Sequence, residues 1–290
     1  MPTARINGID LWYDAQGSGP TLVLSHGFAG PTPQWPPVID AFRERVRLVL
    51  YDARGHGSTS VPPPATFSLP QFAADLAALL DHLDIERAHI GGVSMGGMIS
   101  AQFACDYPER VQSLLLCDTT AGNGGGDPET VQVEEGFRAT CDRWITIVEK
   151  HGMKELVERE VRYRHERDQY AALAEMSVEW QDAKNRRKLE VMTDEGYIAA
   201  CVAVRDRPDL TARTPLIVAP TLVSCGEWDD FYPCASRDHG LIRTSRFATV
   251  RRAAHSTPDY RPQLWKQAVF EFIDDVEAGR DVRGEGEYGA

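Results

Sequence analysis

Short, continuous runs of apolar residues recur along this 290-residue chain, and they constrain its fold more than any other feature. Runs that do not alternate with polar residues are typical of strands buried on both faces of a sheet. Helical patterns lie between them, the clearest over residues 69–83, where apolar residues recur every three or four positions. The apolar runs cover residues 21–25, 46–51, 88–93, 113–117, 220–225 and 246–250. This order predicts a mostly parallel sheet with helices on both faces and a ligand site at the carboxyl ends of its strands.

Two segments depart from that alternation. Asn7-Gly8 lies between short apolar runs near the N-terminus, which is the strongest local signal for a two-residue β-hairpin and predicts an antiparallel start. After the glycine run at residues 122–126, which we interpret as a hinge, a long charged stretch has helical character and no buried-strand run. We therefore predict a core domain of residues 1–122 and 213–280, a helical insertion over residues 123–212, and a disordered tail over residues 281–290.

Charge and composition exclude several function classes. The net charge of −12 argues against a chain that grips nucleic acid phosphates or an anionic membrane surface. No stretch approaches the roughly 18 to 20 apolar residues of a spanning helix, and the N-terminus lacks the apolar region of a secretion signal. The six cysteines are scattered without a CxxC pair, as expected of reduced residues in a cytoplasmic protein. We expect no metal and no cofactor, and nothing in the sequence indicates an oligomer.

The segment Gly92-Val93-Ser94-Met95-Gly96 follows a predicted buried strand and opens a helical stretch. This is the context that a G-x-S-x-G nucleophile elbow requires, because a sharp turn must hold the serine at strained backbone angles between two small residues. The turn would present the Ser94 hydroxyl at a helix N-terminus, where free N–H groups favour a developing negative charge. Ser94 is therefore the candidate nucleophile.

A serine hydroxyl is too weakly acidic to attack a carbonyl unaided, so a histidine base and an orienting carboxylate should lie downstream. His255 follows the last predicted strand and precedes the closing helix, which predicts a loop at the same edge of the sheet. Asp229 lies in the loop after the strand that ends at Cys225, so its carboxylate can reach the distal nitrogen of His255. Three other carboxylates stay open as alternatives for the acid: Glu227, Asp230 and, at the end of an earlier strand, Asp118.

The tetrahedral intermediate needs two hydrogen-bond donors. The backbone N–H of Met95 is one, and the N–H of Phe28, in the loop after the first buried strand, is the other. His26 in that loop is interpreted as scaffold, as are two polar groups at a neighbouring strand end, Asp52 and Arg54. Three aromatic residues are candidates for lining an apolar substrate pocket: Trp35, Trp144 and Phe231.

These motifs together resemble the α/β-hydrolase superfamily, in the order His26-Gly27-Phe28, residues 52–57, residues 92–97, Gly226 to Asp229, and His255. The resemblance covers about residues 4–278, and it implies that the helical insertion is a cap over the active site. Residues 51–58, 114–119 and 196–201 look like the 3-oxoadipate enol-lactonases. The acid loop, Gly226-x-x-Asp229-x-Phe231-x-Pro233, also resembles the C–C bond hydrolases of meta-cleavage products, although Phe28-Ala29, Val93 and Ser256 depart from that subgroup.

The sequence therefore predicts a cofactor-free serine hydrolase that cleaves the ester or lactone bond of a small, largely apolar substrate through an acyl-enzyme. Ser94 argues against haloalkane and epoxide hydrolases, which place an aspartate at the nucleophile position. Two alternatives stay open, a C–C bond hydrolase of meta-cleavage-type diketones and a non-enzymatic, hydrolase-like ligand receptor. Perhydrolysis by the same acyl-enzyme is a possible side activity.

Overall fold

The structure is a computed structural model, and it describes residues 2–30, 38–122, 127–165 and 178–289. Within these residues nine strands form one sheet in the order β1-β2-β4-β3-β5-β6-β7-β8-β9. The strands are β1 (Thr3–Ile6), β2 (Ile9–Gln16), β3 (Thr21–Ser25), β4 (Arg47–Tyr51), β5 (Ala88–Val93), β6 (Val111–Cys117), β7 (Thr221–Gly226), β8 (Ser245–Val250) and β9 (Gly284–Tyr288).

The sheet is antiparallel at its start and parallel from β4 onward. Asn7 (φ +44°) and Gly8 (φ +82°) form the tight turn between β1 and β2, with both residues in the left-handed region that a type I′ hairpin needs. Strand β2 also pairs antiparallel with β4, whereas every later neighbouring pair is parallel. The prediction of a mostly parallel sheet with an N-terminal antiparallel hairpin is confirmed.

Helices cover both faces of the sheet. They are α1 (Ile39–Arg43), α2 (Leu69–His82), α3 (Met95–Asp106), α4 (Pro128–His165), α5 (Val178–Val191), α6 (Asp194–Arg205), α7 (Tyr232–Leu241), α8 (Thr257–Tyr260) and α9 (Pro262–Glu277). One buried cluster joins α2 and α3 to strand residues such as Val23, and a second joins α1 and α9 to residues such as Leu22. Successive strand residues point to opposite faces, so both faces of the parallel strands are apolar.

The helices α4, α5 and α6 all lie in the chain between β6 and β7. Gly152 (φ +77°) breaks α4 into two helical segments, and the next amide, that of Met153, donates to the Asp194 carboxylate (2.9 Å). A third buried cluster, which includes Leu156 and Tyr197, joins α4 and α6 to Ala29 in the loop after β3. The predicted helical insertion is thus present beside a strand-end loop, whereas its domain boundaries stay a prediction. Among the described helices, none is both long and apolar enough to cross a membrane.

The prediction of a disordered tail over residues 281–290 is wrong for β9. Residues Gly284–Tyr288 pair in parallel with Arg246–Val250 of β8. The segment lacks apolar content apart from its last residue, but Tyr288 is only 9% exposed and its hydroxyl donates to Glu271 on α9 (2.9 Å). One anchored aromatic side chain and a main-chain ladder therefore order a segment whose composition predicts disorder.

Candidate active site

Three predicted site residues meet at the carboxyl edge of the sheet. Ser94 follows β5, Asp229 lies in the loop after β7, and His255 lies in the loop after β8. The Nε2 atom of His255 is 2.9 Å from Ser94 Oγ, and its Nδ1 atom is 3.0 and 3.1 Å from the two carboxylate oxygens of Asp229. A carboxylate only accepts, so Nδ1 carries the hydrogen, and when the ring is neutral its Nε2 can accept the hydrogen bond of the serine hydroxyl. This arrangement can move a proton from Ser94 to His255.

The backbone at Ser94 has the strained geometry of an elbow. Its φ of +54° and ψ of −117° lie outside the usual regions for a residue with a side chain. Two contacts from the end of β6 hold this turn: the Ser94 N–H donates to the Cys117 carbonyl (2.9 Å), and the Thr119 hydroxyl donates to the Ser94 carbonyl (2.8 Å). Gly96 lies against the main chain of Ser25, where a Cβ atom would come within 2.0 Å of the carbonyl oxygen.

Of the two predicted oxyanion donors, Met95 lies at the elbow, and Phe28 lies in the loop after β3, whose Ser25 and His26 carbonyls lie close to Gly96. Met95 is the first residue of α3, where main-chain N–H groups have no partner within the helix. Phe28 lies in a tight turn after β3, closed by the Gly30 N–H donating to the Gly27 carbonyl (3.0 Å). His26 fixes this loop, because its Nδ1 donates to the Gly27 carbonyl (2.8 Å) and its Nε2 accepts from the Ala53 N–H (3.0 Å). Burial lowers the pKa of His26 to about 4, so the ring is neutral and structural.

The electrostatics of the His255–Asp229 pair favour a charged ring. Burial lowers the pKa of His255, but the charge and the hydrogen bond of Asp229 outweigh burial and raise this pKa above its usual value. Burial raises the pKa of Asp229, but His255 and the Phe231 N–H, which donates to Oδ1 (3.0 Å), hold it below its usual value. The carboxylate is therefore ionised at neutral pH and stabilises the imidazolium that forms when Ser94 gives up its proton.

The other three candidate acids have different surroundings. Glu227 forms an ion pair with Arg251 (2.7 Å) and accepts from the Arg252 N–H (3.0 Å), and Asp230 is exposed to solvent. Asp118 is fully buried below the triad and accepts hydrogen bonds from the Gly226 N–H and from Thr257. Asp229 is the carboxylate that bonds to the ring of His255.

Aromatic side chains gather next to the proposed oxyanion loop. Trp144 on α4 stacks on Phe28, with ring centroids 6.0 Å apart and an angle of 20° between planes, and Tyr197 packs on the same ring (4.7 Å). Phe231 packs on His255 (5.6 Å) and on Phe137 of α4 (5.3 Å). Of the three predicted pocket residues, Phe231 contacts the triad histidine and Trp144 contacts Phe28, the predicted oxyanion residue. The third, Trp35, lies outside the described residues.

The sequence profile of the α/β hydrolase fold family matches residues 20–233 of the chain. The chain belongs to the α/β-hydrolase fold family. A relative named putative 2-succinyl-6-hydroxy-2,4-cyclohexadiene-1-carboxylate synthase, from Bacillus subtilis, is 28% identical over 95% of this chain and 100% of its own. The 3-oxoadipate enol-lactonase 2 of Acinetobacter baylyi is 26% identical over 92% of this chain and 93% of its own. The crystal structure of the enol-lactonase from Burkholderia xenovorans shares the fold, with a TM-score of 0.79, 24% identity and coverage of 94% of this chain and 100% of that one.

Sequence reasoning missed Phe137 of this α/β hydrolase. It packs on Phe231, and the guanidinium of Arg207 lies over its ring at 5.3 Å. Arg207 itself is buried and paired with the buried carboxylate of Glu134. The spacing of Phe137, Cys141, Trp144 and Val148 along α4 is the only sequence signal for this group, because it forms an apolar stripe on a charged helix.

The α/β hydrolase also brings Asp118, Cys225 and Asp229 together, with potential ligand atoms within 4.8 Å of one another. The carboxylate oxygens of this trio already accept hydrogen bonds from main-chain amides, from Thr257 and from His255. The trio is therefore accounted for as a hydrogen-bond network that includes the triad carboxylate. Asp52 and Arg54 match their interpretation as scaffold: Asp52 accepts from the Ser58 N–H (2.8 Å), and Arg54 makes a buried, two-pronged ion pair with Asp75 (2.7 and 2.8 Å).

Proposed function

We propose that this α/β hydrolase is a serine hydrolase that cleaves the ester or lactone bond of a small, largely apolar substrate. The observation that carries the proposal is the continuous hydrogen-bonded relay from Asp229 through His255 to Ser94, which ends at the N-terminus of α3. The named relative that supports an ester-type bond is the enol-lactonase, since a lactone is a cyclic ester.

The proposed reaction has two halves. Ser94 Oγ attacks the carbonyl carbon while His255 Nε2 takes the hydroxyl proton, and the N–H groups of Met95 and Phe28 stabilise the oxyanion. The tetrahedral intermediate collapses, His255 returns the proton to the departing alcohol oxygen, and the acyl group stays on Ser94. Water then attacks the acyl-enzyme with His255 again as the base, which releases the carboxylic acid and restores the serine.

The aromatic cluster over the oxyanion loop supports a compact apolar substrate. Phe28 carries both a proposed oxyanion donor and a ring that contacts Trp144, so a substrate bound at Ser94 would lie close to these rings. Replacing Trp144 with Ala should change the ratio of kcat/KM values for short and long acyl chains, because the variant opens space beside the carbonyl. Trp144→Phe is the matched control, since it keeps an aromatic ring against Phe28. Equal ratios in all three proteins would remove Trp144 from the pocket.

The test compares the wild type with Ser94→Ala on p-nitrophenyl esters of rising chain length, simple lactones, an enol-lactone and a ring-fission diketone. We expect turnover of esters or lactones that falls by about 10⁴-fold or more in the variant, as for loss of a triad member. Labelling of Ser94 by a fluorophosphonate identifies the nucleophile directly. Turnover of the diketone alone would indicate a C–C bond hydrolase instead, and labelling without turnover would indicate a receptor.

A further inference from the structure

Asp118 is a fully buried carboxylate that the proposed reaction does not use. It follows β6 with a left-handed backbone (φ +47°), and its two carboxylate oxygens accept four hydrogen bonds from described residues. Oδ1 accepts from the Gly226 N–H (3.0 Å) and from the Thr257 hydroxyl (2.7 Å). Oδ2 accepts from the Thr257 N–H and from Cys117 Sγ (3.3 Å). An ionised carboxylate can accept all four of these hydrogen bonds, whereas a protonated Asp118 would need an acceptor for its own O–H, and none of the four groups provides one.

Two of these donors, Gly226 and Thr257, lie next to the loops that carry Asp229 and His255. Gly226 lies three residues before Asp229, and Thr257 lies two residues after His255. The residue after Asp118 is Thr119, whose hydroxyl holds the Ser94 carbonyl. The end of β6 therefore contacts the chain at the nucleophile, at the acid loop and at the histidine loop.

We propose that Asp118 is a positioning residue for the proposed hydrolysis: it ties the Asp229 and His255 loops together, and its charge adds to that of Asp229 in stabilising the protonated His255 ring. The inference rests on the proposed function, because only a reaction that protonates His255 would use this charge. It differs from the sequence alternative in which Asp118 is itself the acid that bonds to the ring, since Asp229 makes that bond and Asp118 lies behind it.

The charged and titratable groups around this network are few within the described residues. His255 faces the carboxylates of Asp229, Asp118 and Asp230, and all three raise its pKa. Asp118 faces Asp229, with carboxylate oxygens within 4.8 Å, and the buried thiols of Cys117 and Cys225 lie alongside. Burial and the neighbouring charge of Asp229 raise the pKa of Asp118 to about 6, so its charge is present at neutral pH and is lost on acidification.

The test compares Asp118→Asn with Thr257→Val on the best ester or lactone substrate over a range of pH. Asp118→Asn removes the negative charge and replaces one carboxylate oxygen, which accepts hydrogen bonds, with an NH₂ group, which would point at neighbouring donors. We expect its kcat to fall by about tenfold or more, and the acid limb of its kcat/KM profile to move to lower pH by about one pH unit. Thr257→Val removes one donor but leaves the charge, so we expect a smaller fall in kcat with the acid limb in place.

Thermal unfolding and circular dichroism of each variant report whether it is folded. A folded Asp118→Asn protein whose kcat and acid limb match the wild type would overturn the inference, as would a fall in kcat with the acid limb unmoved, which is the result for a purely structural residue. If Asp118→Asn does not fold, a Thr257→Val protein with wild-type kcat would overturn it instead. Absence of Ser94-dependent turnover in the wild type is a separate result that would refute the proposed function. In that case the inference is tested by NMR, by following the low-field resonance of the His255 Nδ1 proton as the pH is changed. The midpoint of its titration should lie at lower pH in Asp118→Asn than in the wild type, and equal midpoints would overturn the inference.

Discussion

The contact between Gly96 and the end of β3 predicts that a single methyl group there disables the site. A Cβ on Gly96 would lie 2.0 Å from the Ser25 carbonyl oxygen, 2.6 Å from its carbon and 2.8 Å from the His26 carbonyl oxygen. Cβ atoms essentially never approach a neighbouring atom closer than 3.0 Å. In Gly96→Ala, α3 and the loop after β3 must therefore move apart by about 1 Å.

That displacement separates the nucleophile from a proposed oxyanion donor, because Ser25 and His26 lead directly into Phe28. Loss of one such donor costs about 10²- to 10³-fold in kcat, and a misplacement of about 1 Å costs about 10²-fold. Overpacking a well-packed site costs about 1–3 kcal/mol of unfolding free energy. We therefore expect Gly96→Ala to lose about 10²-fold or more in kcat and to be less stable by about 1–3 kcal/mol.

The assay measures kcat per active site, with phosphonate labelling to count competent serines, beside urea unfolding. Gly240→Ala is the matched control: it makes the same change in helix α7, where a Cβ would meet nothing within 4 Å. We expect unchanged kcat and a gain of up to about 1 kcal/mol, because Ala favours a helix over Gly. Gly96→Ala with wild-type kcat and stability would refute the close approach. Lost stability with wild-type kcat would refute the link between this contact and the oxyanion loop.

Two further predictions concern charge. His255 must be neutral to accept the serine proton, and Asp229 raises the pKa of His255 above its ordinary value of 6.5. A plot of kcat/KM against pH should therefore fall on the acid side with a midpoint above 6.5. A midpoint below 6.5 would contradict the pairing of His255 with Asp229. Replacing Arg54 with Met removes the cation beside the buried Asp75 carboxylate and leaves it only the neutral donors Asn7 and Gln71, which should cost about 3–5 kcal/mol in urea unfolding. Arg5→Met breaks an exposed ion pair and should cost less than about 1 kcal/mol, and equal losses would contradict the difference in burial.

The sheet and the elbow could be predicted because their rules are local. The run Leu48 to Tyr51 is apolar at consecutive positions and therefore on both faces of a strand, which is typical of a parallel strand buried on both sides. The elbow likewise needs only small residues around Ser94, between a strand and a helix. Chain order then placed Asp229 and His255 at the same edge as Ser94, since the carboxyl ends of parallel strands meet there.

The choice among neighbouring carboxylates and aromatic rings could not be predicted in the same way. Glu227, Asp229 and Asp230 share one short loop, and their different roles come from a turn in which the Asp229 N–H donates to the Gly226 carbonyl (3.0 Å). Arg251, which follows the last residue of β8 and lies 24 residues further along the chain, forms an ion pair with Glu227. Similarly, the position of Phe137 near the site follows from the packing of α4 against Phe231. Such contacts depend on tertiary geometry and leave little trace in local composition.

Strand β9 also depends on tertiary contacts, because its sequence Gly-Glu-Gly-Glu-Tyr has low strand propensity. If its order depends on the anchoring of Tyr288, Tyr288→Ala should release the segment and cost about 2–3 kcal/mol of unfolding free energy. Tyr288→Phe keeps the buried ring and loses only the hydrogen bond to Glu271, so it should cost about 1 kcal/mol. Hydrogen–deuterium exchange of residues 284–288 should rise to that of a free chain in the Ala variant and stay protected in the Phe variant. Equal protection in both variants would mean that the main-chain ladder with β8 is sufficient, and the anchor argument would fail.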